Sequence, residues 1–141
     1  MTKPLSVLLI EDNPGDAELT REILEERKLR VAITVVDNGP DALAYLLRQA
    51  PHVQAELPDL ILLDLNLPRM DGRQVLSEIK KHADLCTIPV VILTSSDAER
   101  DIVKSYALGA NCYVTKPVGL EAFQTIVRDV EKFWLTVVKL P

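Results

Sequence analysis

Acidic residues directly follow two short apolar runs in this sequence, at positions where a charged side chain is unfavourable unless something compensates its charge. Asp64 comes after the run Leu60–Leu63, and the pair Glu11-Asp12 comes after the run Leu5–Ile10. An ionised carboxylate without a partner is costly away from water, so Asp64 either begins a loop or belongs to a site. If the acids converge, their mutual repulsion favours a hard divalent cation such as Mg²⁺. An ionised aspartate beside such a metal can act as a nucleophile toward phosphorus.

Two further polar groups follow apolar runs in the second half of the chain. Thr94 and Ser95 end one run, and Thr115 is followed by Lys116 and Pro117 after another. A threonine hydroxyl can donate a hydrogen bond to a phosphoryl oxygen, and a lysine ammonium can pair with the same group. The acids, the hydroxyl and the ammonium together predict a site for a metal ion and a phosphoryl group.

Five strands are the elements that must position these residues. The apolar runs are rich in valine, isoleucine and leucine and mostly do not alternate with polar residues, which is typical of parallel strands covered on both faces. The predicted strands are Leu5–Ile10, Val31–Val36, Leu60–Leu63, Pro89–Leu93 and Asn111–Thr115. Helical patterns separate them, so we predict right-handed βαβ units in a single (βα)5 α/β domain over residues 1–141.

Five amphipathic helices are predicted between and after the strands. Asn13 and Pro14 supply a cap and a first helical residue for the first helix. Its apolar residues are Ala17, Leu19, Ile23 and Leu24. The later helices begin at Asn38-Gly39-Pro40, cover Gly72 to Lys81, run from Asp97 to Gly109, and extend from about Gly119 to Phe133. Ligands of an open α/β sheet bind beyond the carboxyl ends of its strands, so the polar groups should meet there.

Composition and charge exclude several classes of function. The chain has 141 residues, of which 48% are hydrophobic and 26% are charged, as in ordinary soluble domains. The net charge of −5, with basic residues scattered along the chain, does not favour a nucleic-acid surface. No apolar run approaches the roughly 18–20 residues of a membrane span, and no secretory signal is recognisable. Cys86 and Cys112 lack CxxC spacing and are predicted to be free thiols in the cytoplasm.

The whole chain resembles the receiver domain of two-component response regulators, which has the chemotaxis-Y-like fold. The motifs that carry the resemblance are Glu11-Asp12, Asp64 in LLDLNLPRMDG, Thr94-Ser95 in VVILTSS, the tetrapeptide ALGA, and Tyr113 with Lys116-Pro117 in CYVTKP. They occur in the expected order over residues 5–133. The resemblance implies a doubly wound, five-stranded parallel sheet with the flavodoxin-like strand order 2-1-3-4-5.

The resemblance assigns the acceptor and the metal ligands. Asp64 is expected to accept a phosphoryl group from the phosphohistidine of a sensor histidine kinase, forming an acyl phosphate. Asp12 and Asp64 are expected to bind Mg²⁺ directly, Glu11 through water, and Asn66 through its backbone carbonyl. No enzyme activity is implied beyond self-catalysed phosphotransfer and autodephosphorylation.

The resemblance also assigns the phosphoryl contacts and a switch. Thr94, Lys116 and the backbone of Ser95 are expected to contact the phosphoryl group. Tyr113 is expected to turn inward when Thr94 moves, and the bond before Pro117 is expected to be cis. Tyr113 could equally be an ordinary half-buried strand residue, because motion is not visible in a sequence.

The C-terminal segment VRDVEKFWLTVVKLP, which overlaps the end of the predicted fifth helix, is the main departure from a plain receiver. The residues of its apolar stripe are Val127, Val130, Trp134, Val137 and Val138, at helical spacing. Residues 134–141 then extend the last helix, and the stripe either folds back on its own domain or forms a homodimer interface with the fourth helix, the fifth strand and the fifth helix. No output domain is recognisable, so a stand-alone regulator that signals by protein contact is expected.

The kinase partner is indicated by a narrower resemblance. Four features are most similar to single-domain regulators of bacterial and cyanobacterial phytochromes. They are the start IEDNPGDAELTREIL, the second helix, the Gln49–Pro58 insertion and the aromatic tail.

Two other functions compete with this interpretation. A degenerate receiver acting as a scaffold would lack an acid, the acceptor or the lysine, and none is missing. An aspartate-nucleophile phosphatase would want an aspartate where Asn66 stands, as well as cap insertions.

Overall fold

The computed structural model describes residues 5–25, 31–50, 53, 55–94 and 112–115, and every structural statement below concerns these residues. Strands and helices alternate along them. The strands are β1 (Leu5–Ile10), β2 (Val31–Val36), β3 (Leu60–Leu63), β4 (Val90–Thr94) and β5 (Cys112–Thr115). The helices are α1 (Pro14–Glu25), α2 (Gly39–Leu46) and α3 (Gly72–Lys81).

Each of these helices begins at a polar side chain that accepts a hydrogen bond from the first turn, as helix starts require. Asn13 Oδ1 accepts from the backbone N–H of Asp16 over 3.0 Å, and Asn38 Oδ1 accepts from the N–H of Asp41 over 2.9 Å. Asp71 caps α3 in a reciprocal capping box. The caps of α1 and α2 are those expected from the sequence.

The strands form one parallel sheet in the order β2-β1-β3-β4-β5, which confirms the predicted topology. β3 therefore lies between β1 and β4. In the register of these strands Leu63 is opposite Ile10 on one side and Ile92 on the other. The residues that directly follow β1 and β3 consequently leave the sheet side by side.

The sheet buries side chains on both faces, which is why its apolar runs do not alternate with polar residues. One face packs against α2 and α3 in a continuous apolar core. The buried strand residues of this core are Leu8, Ile10, Ile61, Leu63, Val90 and Ile92, and those of the two helices are Ala42, Leu46, Val75, Leu76 and Ile79. The alternate strand residues on the opposite face are equally buried: Val7, Leu9, Leu60, Leu62, Val91 and Leu93.

Two details differ from the sequence expectations. In α1 Leu19 is 50% exposed, whereas Ala17 and Thr20 are both 8% exposed. Leu19 was expected among the apolar residues of this helix, but the buried side passes through Ala17 and Thr20, one turn apart. β4 begins and ends one residue later than predicted, and its later start follows from Pro89, which has no N–H to donate. The carbonyl of Pro89 still accepts from the N–H of Ile61 over 3.0 Å.

Several predicted features lie outside the described residues. They are the fourth and fifth helices, the tail 134–141, Ser95, Lys116 and Pro117. Thr94 and Tyr113 lie in β4 and β5. Within the part of the chain that the structure describes, no helix has the length and apolar character needed to cross a membrane.

Candidate functional site

Backbone hydrogen bonds fasten the carboxyl ends of three neighbouring strands to one another. The N–H of Glu11 donates to the carbonyl oxygen of Val36 over 2.9 Å, which joins the end of β1 to the end of β2. The N–H of Asp64 donates to the carbonyl oxygen of Ile10 over 3.0 Å, which joins the end of β3 to β1. The two acids that follow β1 and β3 are therefore placed by the sheet itself and not by loop conformation.

Three carboxylates converge at this edge of the sheet. One oxygen each of Glu11, Asp12 and Asp64 lies within 4.8 Å of the others. Glu11 is 3% exposed and Asp64 is 6% exposed, whereas Asp12 is open to solvent. The sequence predicted this convergence from the positions of the acids after their strands.

This donor set suits a hard divalent cation. Carboxylate oxygens are the ligands that Mg²⁺, Ca²⁺ and Mn²⁺ prefer, and a cation would offset the repulsion among three closely placed negative groups. Two of the carboxylates are buried, so their charge is poorly solvated by water and the gain on binding a cation is correspondingly larger. The residues present therefore fit a divalent metal ion.

Asp64 is also held from its own loop. The backbone N–H of Asn66 donates to Asp64 Oδ1 over 3.0 Å. Glu11 is held similarly, since its Oε2 accepts from the backbone N–H of Asn13 over 3.3 Å. Hydrogen bonds to the charged form of a carboxylate stabilise that form. Both buried acids are thus oriented by backbone amides within two residues of them.

The loop from Leu65 to Asp71 joins Asp64 to α3 and is here called the acceptor loop, after the role that the sequence predicts for Asp64. Its two ends meet, because the N–H of Gly72 donates to the carbonyl oxygen of Leu65 over 2.9 Å. A Cβ on Gly72 would collide with the carbonyl oxygen of Asp64 and would lie 2.6 Å from Leu65 Cα. Only glycine allows α3 to begin this close to the end of β3.

The remaining predicted residues are described only in part. Thr94 is the last residue of β4 and is paired in register with Thr115, so its backbone lies at the same edge of the sheet as Asp64. Tyr113 is paired with Ile92. The roles of these two residues, and those of Ser95, Lys116 and Pro117 outside the described residues, stay predictions.

Sequence reasoning missed one participant near this edge. Asn38 and Gly39 were assigned only to the start of α2, yet Gly39 is buried and packs against Met70 of the acceptor loop. The sequence did contain a signal. Glycine has a low helix propensity, so a glycine in the first turn of a helix indicates that a side chain is excluded there for some other cause, such as a close packing contact. The contact itself was not predictable, because residues 39 and 70 are far apart along the chain.

Known proteins similar to this chain agree with the geometry. Residues 7–128 match the response regulator receiver domain family. The response regulator Rcp1 of Synechocystis sp. is 44% identical over 138 residues, which are 98% of this chain and 94% of Rcp1. The probable methanogenesis regulatory protein FilR2 of Methanothrix harundinacea is 37% identical, over 94% of this chain and 84% of its own.

Solved structures give the same result. The phosphorylated cyanobacterial phytochrome response regulator RcpA superposes with a TM-score of 0.85 at 45% identity, covering 99% of both chains. The Mn²⁺-bound form of Rcp1 superposes with a TM-score of 0.83 at 43% identity, covering 98% of this chain and 99% of that one. With this fold, this acid cluster and a family match over most of its length, the chain belongs to the response regulator receiver domain family and is a receiver of the two-component phosphorelay type.

Proposed function

We propose that this receiver is a phosphorylation-operated switch in which Asp64 accepts a phosphoryl group from a sensor histidine kinase. A carboxylate oxygen of Asp64 attacks the phosphorus, the bond from phosphorus to the imidazole nitrogen breaks, and the imidazole leaves with the electron pair. The product is an acyl phosphate on Asp64, which water later hydrolyses. The observation that carries this proposal is the convergence of Glu11, Asp12 and Asp64 within 4.8 Å.

The position of Asp64 in the sheet supports its choice as the acceptor among the three acids. β3 lies between β1 and β4, so Asp64 has the acid pair on one side and the end of β4 on the other. Glu11 and Asp12 both follow β1, which is not adjacent to β4. A phosphoryl group on Asp64 would therefore be within reach of a metal on the β1 side and of Thr94 on the β4 side, with Lys116 and Ser95 as further contacts.

Mg²⁺ is the cofactor that we propose. Glu11, Asp12, Asp64 and the backbone carbonyl of Asn66 would hold it, with Glu11 acting through water. When bound, it would offset negative charge on the phosphoryl oxygens. The Mn²⁺-bound form of a similar regulator supports a divalent cation, and Mg²⁺ is favoured because it commonly binds carboxylates together with phosphoryl oxygens.

The kinase that we propose as phosphodonor is a phytochrome. The proposal is supported by the similarity of this chain to RcpA, a cyanobacterial phytochrome response regulator of known structure.

We propose further that residues 1–141 act in the cytoplasm as one domain, without nucleic acid or membrane contact. The output would be a protein contact, with a homodimer formed through the fourth helix, β5, the fifth helix and the tail 134–141, and with Thr94, Tyr113 and Pro117 as the switch.

Intact-mass measurement tests the acceptor. The protein would be incubated with acetyl phosphate, with and without Mg²⁺, beside Asp64→Asn and the control Asp84→Asn, which makes the same change at an exposed position beyond the end of α3. We expect one phosphoryl group on the wild type and the control in Mg²⁺, and none on Asp64→Asn. Absence of the adduct from the wild type would contradict the switch and favour a phosphorylation-independent scaffold.

The same samples test signalling. On a sizing column we expect phosphorylation to change the association of the wild type. Lys116→Ala should still bind Mg²⁺ but should no longer couple phosphorylation to association, because the ammonium would pair with the phosphoryl group. A Lys116→Ala protein that switched normally would contradict this role.

A further inference from the structure

The N-terminus of α2 touches the acceptor loop at Gly39. A Cβ built on Gly39 would lie 2.8 Å from Met70 Cβ, 3.2 Å from Met70 Cγ and 2.9 Å from Val75 Cγ2. Separations under 3.0 Å are essentially absent from real structures, so a neighbour would have to move. Met70 Cβ is bonded directly to the backbone of the acceptor loop. A methyl group at position 39 would therefore displace the loop itself and not merely the flexible end of a side chain.

The start of α2 is stabilised by hydrogen bonds of its own. Asn38 is 3% exposed, and its amide Nδ2 donates to Asp37 Oδ1 over 2.7 Å and to Asp41 Oδ2 over 2.9 Å. Its Oδ1 accepts from the N–H of Asp41. Just before this network, the carbonyl oxygen of Val36 accepts from the N–H of Glu11. The start of α2 is thus tied to the strand end that carries the first pair of acids.

The acceptor loop needs external support. Arg69 has a φ of 65°, in the left-handed region that a residue with a side chain adopts at a cost. Such conformations persist where the surrounding structure imposes them. The N–H of Met70 donates to the carbonyl oxygen of Pro68 over 2.7 Å, which tightens the turn next to the Gly39 contact. At the other end of the loop, the N–H of Asn66 holds Asp64 Oδ1.

We propose that Gly39 is a positioning residue for the acceptor site. Its missing side chain lets α2 press on Met70, and this contact fixes the acceptor loop so that Asn66 stays at hydrogen-bond distance from Asp64. Gly39 is thereby mechanically linked to both halves of the metal site, through Val36 to Glu11 and through Met70 to Asp64. The inference deepens the proposed function, since the site that Gly39 positions is the proposed metal and phosphoryl site.

Gly39→Ala tests the proposal by two readouts, the dissociation constant of Mg²⁺ from calorimetry without any phosphodonor and the rate of acetyl phosphate labelling from intact mass. We expect Gly39→Ala to bind Mg²⁺ roughly tenfold or more weakly and to be labelled correspondingly more slowly, since lost support around metal ligands costs about 10–100-fold. Gly15→Ala is the matched control, because among the described residues a Cβ there would come closest to Asn13 Oδ1, at 3.3 Å, and would not press on backbone or on a Cβ as the one at position 39 does.

Ile79→Val separates positioning from general destabilisation. Ile79 is fully buried in α3, about two helical turns beyond Gly72, and the change removes one buried carbon at a distance along the helix from the acceptor loop. We expect Ile79→Val to lose stability but to keep the Mg²⁺ affinity of the wild type. If Mg²⁺ affinity followed the loss of stability in both variants, or if Gly39→Ala bound Mg²⁺ as the wild type does, the proposal would be overturned.

A measurement on the wild type decides the question even if Gly39→Ala does not fold. If Gly39 is mechanically linked to the metal site, Mg²⁺ binding should change its surroundings and shift its backbone amide resonance, while leaving that of Ile79 in place. An unmoved Gly39 resonance at saturating Mg²⁺ would overturn the proposal. A wild type that binds Mg²⁺ but is never phosphorylated would contradict the proposed function, and the Mg²⁺ affinities would still decide the role of Gly39.

Discussion

The Cα of Gly72 lies against the carbonyl of Asp64 so closely that no side chain fits between them. A Cβ on Gly72 would collide with the Asp64 carbonyl oxygen and would lie 3.1 Å from the Asp64 carbonyl carbon. The start of α3 and the end of β3 therefore share one van der Waals boundary made of backbone. Backbone atoms have no alternative rotamers, so this boundary cannot adjust as a side-chain contact can.

Gly72→Ala should consequently be costly. We expect a loss of about 1–3 kcal/mol in the free energy of unfolding, the usual cost of overpacking a well-packed site. Urea denaturation measures the loss, and Gly15→Ala in α1 should lose less, because the nearest described atom to its Cβ would be Asn13 Oδ1 at 3.3 Å and alanine favours helix. A Gly72→Ala protein as stable as the wild type would contradict the close approach.

Neutralising one acid of the cluster should have opposite effects with and without metal. Without divalent cations, Asp12→Asn should be more stable than the wild type by up to about 1 kcal/mol, because one exposed like-charge interaction is removed. In Mg²⁺ at a hundredfold excess over its dissociation constant, the wild type should gain about 2.7 kcal/mol and the variant much less. Urea denaturation in EDTA and in MgCl₂ measures both, with Asp84→Asn as the control. Equal gains in Mg²⁺ would exclude Asp12 as a ligand.

The buried cap of α2 should matter more than an exposed cap. Asn38→Ala should lower the free energy of unfolding by about 1–2 kcal/mol, since it leaves the partly buried N–H of Asp41 without its side-chain acceptor. Asn38→Asp keeps that acceptor but removes the donors to Asp37 and Asp41 and adds a third negative charge, so it should also be destabilising. The exposed cap variant Asn13→Ala is the comparison, measured by thermal unfolding. A harmless Asn38→Asp would show that the amide donors contribute nothing.

Lys80 should make stability depend on pH in the alkaline range. Its Nζ donates to the carbonyl oxygens of Cys86 and Ile88 over 3.2 and 3.5 Å, and burial lowers the pKa of its ammonium from 10.5, against a smaller raising effect of Cys86. Between the lowered pKa and 10.5 the unfolded chain binds more protons than the folded one, so the free energy of unfolding rises with pH there.

Lys80→Met should remove this rise. Urea denaturation from neutral pH up to about 10.5 would compare the two proteins, and their difference should grow in favour of the wild type as pH increases. Lys81→Met controls for the loss of one positive charge, since the side chain of Lys81 is 66% exposed. A difference between wild type and Lys80→Met that stayed constant with pH would contradict the burial effect on Lys80.

The strand ends were predictable because their signals are local. The bounds of β1, β2 and β3 coincide with the apolar runs, and the position of Asp64 after β3 placed it beside Glu11 by topology alone. Contacts between distant parts of the chain were not predictable. Nothing local indicates that Asp59 Oδ2 accepts from the N–H of Ser6 over 2.8 Å, or that Gly39 meets Met70.

The partial failure at α1 has a similar origin. Hydrophobicity placed Leu19 among the core-facing residues, but the buried side of a helix is set by what lies opposite it. Thr20, a polar residue, is buried at 8% exposure, while Leu19 is half exposed. A threonine can be buried because its methyl group packs like that of a small apolar residue. Composition does not reveal which of two adjacent residues a sheet will cover.

The acid cluster forms only when β1 and β3 pair in the observed register, in which the N–H of Asp64 donates to the carbonyl oxygen of Ile10. If β3 slipped by one residue against β1, every β3 side chain would turn to the opposite face and Asp64 would leave the cluster. A chain in which β3 has slipped against β1 therefore does not bring all three carboxylates together. If the cluster binds a divalent cation as proposed, titration with the metal would report the fraction of molecules with the correct register and would serve as an assay of refolding yield that needs no partner protein.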